Sequence, residues 1–173
     1  MRGVDGLIST IMETDRRAFF RFAGLGAGAF ALFGCGGHSA EAAERFPLTL
    51  SDADWRKRLT PAAYRVLRRE GTETPFTSPL NTEHRAGTFA CAGCAQPLFA
   101  SKTKFDSGTG WPSFWAALPG AVATRTDRSL MMARTEVHCS RCGGHQGHLF
   151  DDGPKPTGKR YCMNGVALTF KPA

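Results

Sequence analysis

One cysteine near the end of the chain stands in polar company: Arg160-Tyr161-Cys162-Met163-Asn164 follows His145 and His148, two histidines three apart. A thiol attacks as its thiolate, and a nearby cation or imidazole is what favours that form. In this pattern Cys162 is the nucleophile, Arg160 the fixed cation that lowers its thiol pKa, and His145 and His148 the proton carriers. Asn164 is suited to donate a hydrogen bond to an oxygen or a water, with Asp151 or Asp152 nearby. A free cysteine is often just a small buried hydrophobe, but a core position has no need of these neighbours. Two histidines alone make an incomplete metal site.

The other four cysteines beyond residue 42 form two tight pairs, Cys91-Ala-Gly-Cys94 and Cys139-Ser-Arg-Cys142. Each pair can turn a knuckle that aims two sulfurs at one ion, and two knuckles complete a tetrahedral Cys₄ zinc site, one Zn²⁺ per chain. The alternatives are two disulfides or a redox pair. Gly93 and Gly143-Gly144 suit knuckle turns, which favours zinc. Protein ligands fill all four positions, so this zinc is structural. The pairs lie 44 residues apart, so a substructure must be inserted between the knuckles.

The elements that position these groups are short. Ser51-Asp52-Ala53-Asp54 opens a helix with acidic residues in its first turn, and Thr60-Pro61 opens a second that stops at Gly71. Extended pieces follow at 87–90, 97–99, 130–133, 135–138 and 166–170, separated by turns such as Asp106-Ser107-Gly108 and Asp152-Gly153-Pro154. This is a mainly β, largely antiparallel single domain, residues 43–173, with short N-terminal helices. Thirteen Phe support a packed core over a disordered chain. The net charge of +7 is spread over scattered Lys and Arg rather than a basic run with aromatics, so no nucleic-acid partner is expected.

Residues 1–42 read as an address. Asp15-Arg16-Arg17-Ala18-Phe19-Phe20-Arg21 has the twin-arginine pattern, and the uncharged stretch that follows, 22–34, is too short to span a membrane. Ala40-Glu41-Ala42 offers a cleavage site. Leu32-Phe33-Gly34-Cys35 resembles a lipoprotein box, so the one membrane link expected beyond the signal is a lipid anchor at Cys35. The expected location is the periplasm or cell envelope.

Five blocks in order, RLTPAAYRVLRREGTETPFTSPL (58–80), the two C-x-x-C pairs, TKFDSGTGWPSF (103–114), GHQGHLFDDGPKPTG (144–158) and RYCMNGVALTF (160–170), resemble the B-type peptide methionine sulfoxide reductases, which act on the R epimer. The resemblance implies two small antiparallel sheets in a barrel-like or tent-like fold, structural zinc, and catalysis at Cys162. It implies methionine sulfoxide, free or in oxidised proteins, as substrate, and a thioredoxin-like or other thiol as reductant. Trp111 becomes the wall of the methyl pocket, with Phe114 and Phe150 as its companions. Many members carry a second, resolving cysteine where this chain has Thr109, so one-cysteine turnover by an external thiol is expected. The rival readings are a zinc-ribbon binding module and a thiol peroxidase; neither accounts for the ordered blocks.

Overall fold

The structure, a computed structural model, describes residues 44–129 and 132–173. The export segment, the cleavage site, Cys35 and half of the expected extended piece at 130–133 lie outside the described residues. Among the described residues, no helix is long and apolar enough to cross a membrane.

Two helices lead. In α1 (Asp52–Arg58), the Ser51 side chain accepts a hydrogen bond from the Asp54 N–H, and Asp52 and Asp54 sit at the positive end of the helix dipole. In α2 (Pro61–Arg69), Thr60 caps the Ala63 N–H and Pro61 takes the first turn, where its missing donor does no harm. The helix ends at Glu70, which adopts the left-handed conformation at φ 54°, rather than at Gly71. The buried faces carry Trp55 from α1 and Ala63, Tyr64, Val66 and Leu67 from α2.

The strands are β1 (Gly87–Cys91), β2 (Pro97–Ala100), β3 (Lys104–Phe105), β4 (Ser113–Phe114), β5 (Val122–Asp127), β6 (Arg134–Cys139), β7 (His145–Phe150), β8 (Arg160–Met163) and β9 (Leu168–Pro172). They form two antiparallel sheets, one ordered β2-β1-β9 and the other β3-β4-β8-β7-β6-β5. Each order runs from edge to edge, so neither sheet closes into a barrel. The sheets meet through aromatics: Phe99 of β2 stacks on Phe114 of β4 at 4.4 Å between ring centroids, and Phe89 of β1 meets the same ring at 4.9 Å. Edge and stacked contacts of this kind add to the area those rings remove from water. The expected extended piece at 166–170 is divided, with a 3₁₀ turn at Gly165–Ala167 before β9.

β7 carries the irregularity that matters most. Val137 pairs with Gly147 and His138 with His145, so Gln146 is an extra residue bulged out of the β6–β7 ladder. Residues three apart on a regular strand point to opposite faces. The bulge cancels that, and the His145 and His148 rings meet at 5.3 Å.

Candidate active site

Cross-strand register assembles the site. Ser113 pairs with Cys162, Cys162 with His148, His148 with Glu136, and Glu136 with Arg125. Directly opposed residues share a face, so one rung across five strands sets a hydroxyl, a thiol, an imidazole, a carboxylate and a guanidinium side by side.

Hydrogen bonds fix the two imidazoles. His148 Nε2 lies 2.8 Å from an Asp127 carboxylate oxygen that Arg134 also contacts, at 2.6 Å. Bonds from Ser129 and then His148 hold the Asp127 carboxyl well below the usual carboxylate range. An ionised carboxylate only accepts, so Nε2 carries the hydrogen, and Nδ1 is the nitrogen free to take up and return a proton. Burial, more than any neighbour, pushes the His148 pKa down. His145 Nδ1 lies 2.8 Å from Glu136 Oε1. Burial raises the Glu136 pKa, but bonds from His145 and Arg125 outweigh it and keep that carboxyl low. The Nε2 of His145 is buried with no hydrogen-bond partner among the described residues. His145 does not line the cleft; its ring meets that of His148 at 5.3 Å and lines a separate groove with Arg68 and Arg125.

The cleft above Cys162, about 120 Å³, is lined by Thr72, Trp111, Arg134, Gly147, His148, Phe150, Cys162 and Asn164. The Trp111 indole is held by its N–H donating to the Glu73 carbonyl at 3.2 Å. Phe150 lines the cleft as expected, but Phe114 does not. It follows Ser113 on β4 and so faces the other way, fully buried between Phe89 and Phe99. Phe114 is a core residue. Arg160 sits two residues before Cys162, yet its Nε and Nη2 donate to both carboxylate oxygens of Asp152, each at 2.8 Å. Its guanidinium also lies 4.3 Å over the Phe150 ring. Its pKa is raised, first by Asp152 and less by the charge of Cys162. Arg160 thus reaches the cysteine with a charge already shared with Asp152. Thr109 Oγ1 lies 3.8 Å from Cys162 Sγ and joins Ser107 and Ser113 in a chain of hydroxyls.

Asn164 lines the cleft but spends its amide on the backbone. Its Oδ1 accepts from the Glu73 N–H at 2.9 Å, and its Nδ2 donates to the Gln146 carbonyl at 3.1 Å. The buried Glu73 carboxylate accepts from the N–H groups of Gly165 and Val166. One residue therefore holds Trp111, Asn164 and the turn after Cys162. Glu73, Asp127, Arg134 and Glu136 were not legible as site residues in the sequence, since only register and chain crossing bring them in. Gly147, between the two histidines, was the one available signal.

The four paired cysteines are buried, free of disulfides, and all their sulfurs lie within 4.8 Å of one another. Cys91 and Cys142 are 3.7 Å apart and Cys94 and Cys139 3.5 Å. A disulfide is about 2.05 Å, whereas ligands about 2.3 Å from a tetrahedral zinc lie roughly 3.8 Å apart. The donor set fits a metal ion. Gly143 takes the left-handed turn of the second knuckle; in the first that role falls to Ala95, not Gly93. Gln146 Nε2 donates to Cys91 Sγ at 3.3 Å, so the bulged residue links the metal knuckles to the Asn164 anchor.

A thiol paired across the strands with an imidazole, on two antiparallel sheets joined by a four-cysteine cluster fit to hold a metal ion, defines a small β-rich thiol oxidoreductase domain. The family model described as SelR domain matches residues 59–172. The chain is 54% identical over 123 residues to the peptide methionine sulfoxide reductase MsrB of Agrobacterium fabrum, covering 70% of this chain and 91% of that protein. It is 54% identical over 122 residues to MsrB of Methanosarcina barkeri, covering 70% and 86%, and 50% identical over 127 residues to that of Leptospira interrogans, covering 73% and 97%. The chain belongs to the SelR family, to which these MsrB proteins are similar along nearly their whole length.

Proposed function

We propose that this protein is a peptide-methionine (R)-S-oxide reductase that repairs oxidised proteins, with Cys162 as nucleophile. The observation that carries the reading is the direct pairing of Cys162 with His148 in a small cleft walled by Trp111 and Phe150, in a chain about half identical to the MsrB proteins.

The Cys162 thiolate attacks the sulfoxide sulfur while His148 gives a proton to the sulfoxide oxygen; the sulfur–oxygen bond and the new sulfur–sulfur bond then break as that hydroxyl passes to Cys162 Sγ. The substrate sulfur gains two electrons and leaves as the thioether of methionine. Cys162 loses two and is left as a sulfenic acid. Trp111 and Phe150 give the S-methyl group an apolar wall, while His145, held by Glu136, keeps the His148 ring in place. With threonine at 109, regeneration falls to an external thiol. It attacks the sulfenic acid, expels water and forms a mixed disulfide, which a second thiol releases. Cys91, Cys94, Cys139 and Cys142 would hold a zinc ion, which would brace the fold and supply no chemistry at Cys162. The pattern of residues 14–34 supports a place in the cell envelope, with a thiol relay there as the electron source.

Turnover of the R and S epimers of methionine sulfoxide, with dithiothreitol as donor, tests the reading in wild type and Cys162→Ser. Reduction of the R epimer alone, lost in the variant, is the expected result. A folded, metal-loaded protein that reduces neither epimer overturns it and returns the zinc-ribbon binding module to the front.

A further inference from the structure

A second groove, about 260 Å³, adjoins the cleft over Cys162, and Trp111 lines both. Phe76 stands on its rim with 73% of its surface exposed, one of two large hydrophobic side chains so exposed among the described residues. It also holds a left-handed backbone, φ +65°, which is unfavourable for a bulky side chain. Backbone outliers of this kind gather at functional sites. The geometry is nevertheless pinned. The Phe76 N–H and Asn81 Nδ2 donate to the same Gly110 carbonyl, at 2.8 and 2.9 Å, beside Trp111.

The floor of the groove is the open side of the larger sheet. Lys104 and Phe105 line it, and they form β3, an edge strand paired only with β4. The Lys104 N–H of this strand already donates to the Ser101 carbonyl, so the groove offers side-chain surface rather than a free sheet edge.

We propose that this groove is the subsite for the polypeptide next to the oxidised methionine, with Phe76 covering an apolar or aromatic flanking side chain. The inference rests on the proposed function. A methionine sulfoxide side chain over Cys162 leaves its own main chain at the Trp111 rim, and the neighbouring residues then pass into the groove.

The test compares two substrates with dithiothreitol as donor: N-acetyl-methionine-(R)-sulfoxide methylamide, which has no flanking residues, and a short peptide with phenylalanine on both sides of the sulfoxide. Phe76→Asn is the variant, because asparagine tolerates the left-handed backbone. The expected result is a fall of about tenfold in kcat/KM on the peptide, the scale of losing one buried aromatic contact, with the blocked amino acid turned over as before. That unchanged rate also reports an intact fold. Equal rates of wild type and variant on the peptide, or equal losses on both substrates, overturn the subsite. Peptide turnover that falls only when thioredoxin replaces dithiothreitol assigns the groove to the reductant and overturns it too. A wild type that reduces neither substrate removes the proposed function itself.

Discussion

Cys162 and His148 are direct cross-strand partners on one face of the β7–β8 pair. Opposed residues place their Cβ atoms about 5 Å apart, which sets the imidazole beside the nucleophile it serves. His148→Gln is expected to lower kcat by about a hundredfold or more, the usual scale for a lost general acid–base group, with little change in KM. Steady-state kinetics on the R epimer checks this.

The same histidine makes stability depend on pH. Burial holds His148 below its ordinary value of 6.5, so in that window the unfolded chain binds this proton more readily than the folded one. Its contribution is complete above the ordinary value and fades as the pH falls below it. The melting temperature is expected to be lower at about pH 5.5 than at about pH 7.5, and to change less in His148→Gln. An equal change in the variant counts against the assignment.

Gly147 lets β8 pass close to the bulge. A Cβ there would meet the Cys162 carbonyl oxygen at 2.0 Å and the Met163 backbone at 3.0 Å. Backbone atoms cannot step aside as a side-chain tip can. Gly147→Ala is expected to cost about 3 kcal/mol or more and to displace Cys162, seen as a lower denaturation midpoint together with lost activity.

Glu73 is a positioning residue. Without its carboxylate, the N–H groups of Gly165 and Val166 lose their acceptor, and each buried bond left unmade costs about 1–3 kcal/mol. Glu73→Ala is expected to lower both stability and kcat/KM, and Glu73→Gln, which keeps an acceptor oxygen, to recover part of each. A variant of either kind with wild-type kinetics would leave Glu73 a purely structural role.

Removing the metal is expected to disable a site it does not touch. Elemental analysis should find one zinc per chain in wild type and in Cys162→Ser, and none in Cys139→Ser. Chelation should loosen the knuckles and, through Gln146 and its bond to Cys91 Sγ, the carbonyl that anchors Asn164. Circular dichroism and activity should fall together.

Thr109 is close enough to Cys162 to show what this chain lacks. After one equivalent of substrate without reductant, mass spectrometry should find no disulfide in the wild type. Thr109→Cys, at a position whose side-chain oxygen is 3.8 Å from Cys162 Sγ, should form one. A Cys162 disulfide in the wild type would refute one-cysteine turnover.

Local chemistry carried much of this in the sequence. Cap residues Ser51 and Thr60, Pro61 at a helix start, and two C-x-x-C pairs act within a few residues, so they could be read without knowing where the chain goes. Cys162 stood out for the same reason, through neighbours on its own strand. The tertiary structure decided whatever depends on register or chain crossing. A bulge at Gln146 turned His145 and His148 to one face, against the alternation their spacing implies. Strand order brought in Asp127 and Glu136, and the crossing of the segment after α2 brought in Glu73. Alternation along β4 sent Ser113 to the cysteine and Phe114 to the core. Side-chain period in a strand is two, so a single inserted residue reverses every facing beyond it, and that insertion appears only when the strands pair.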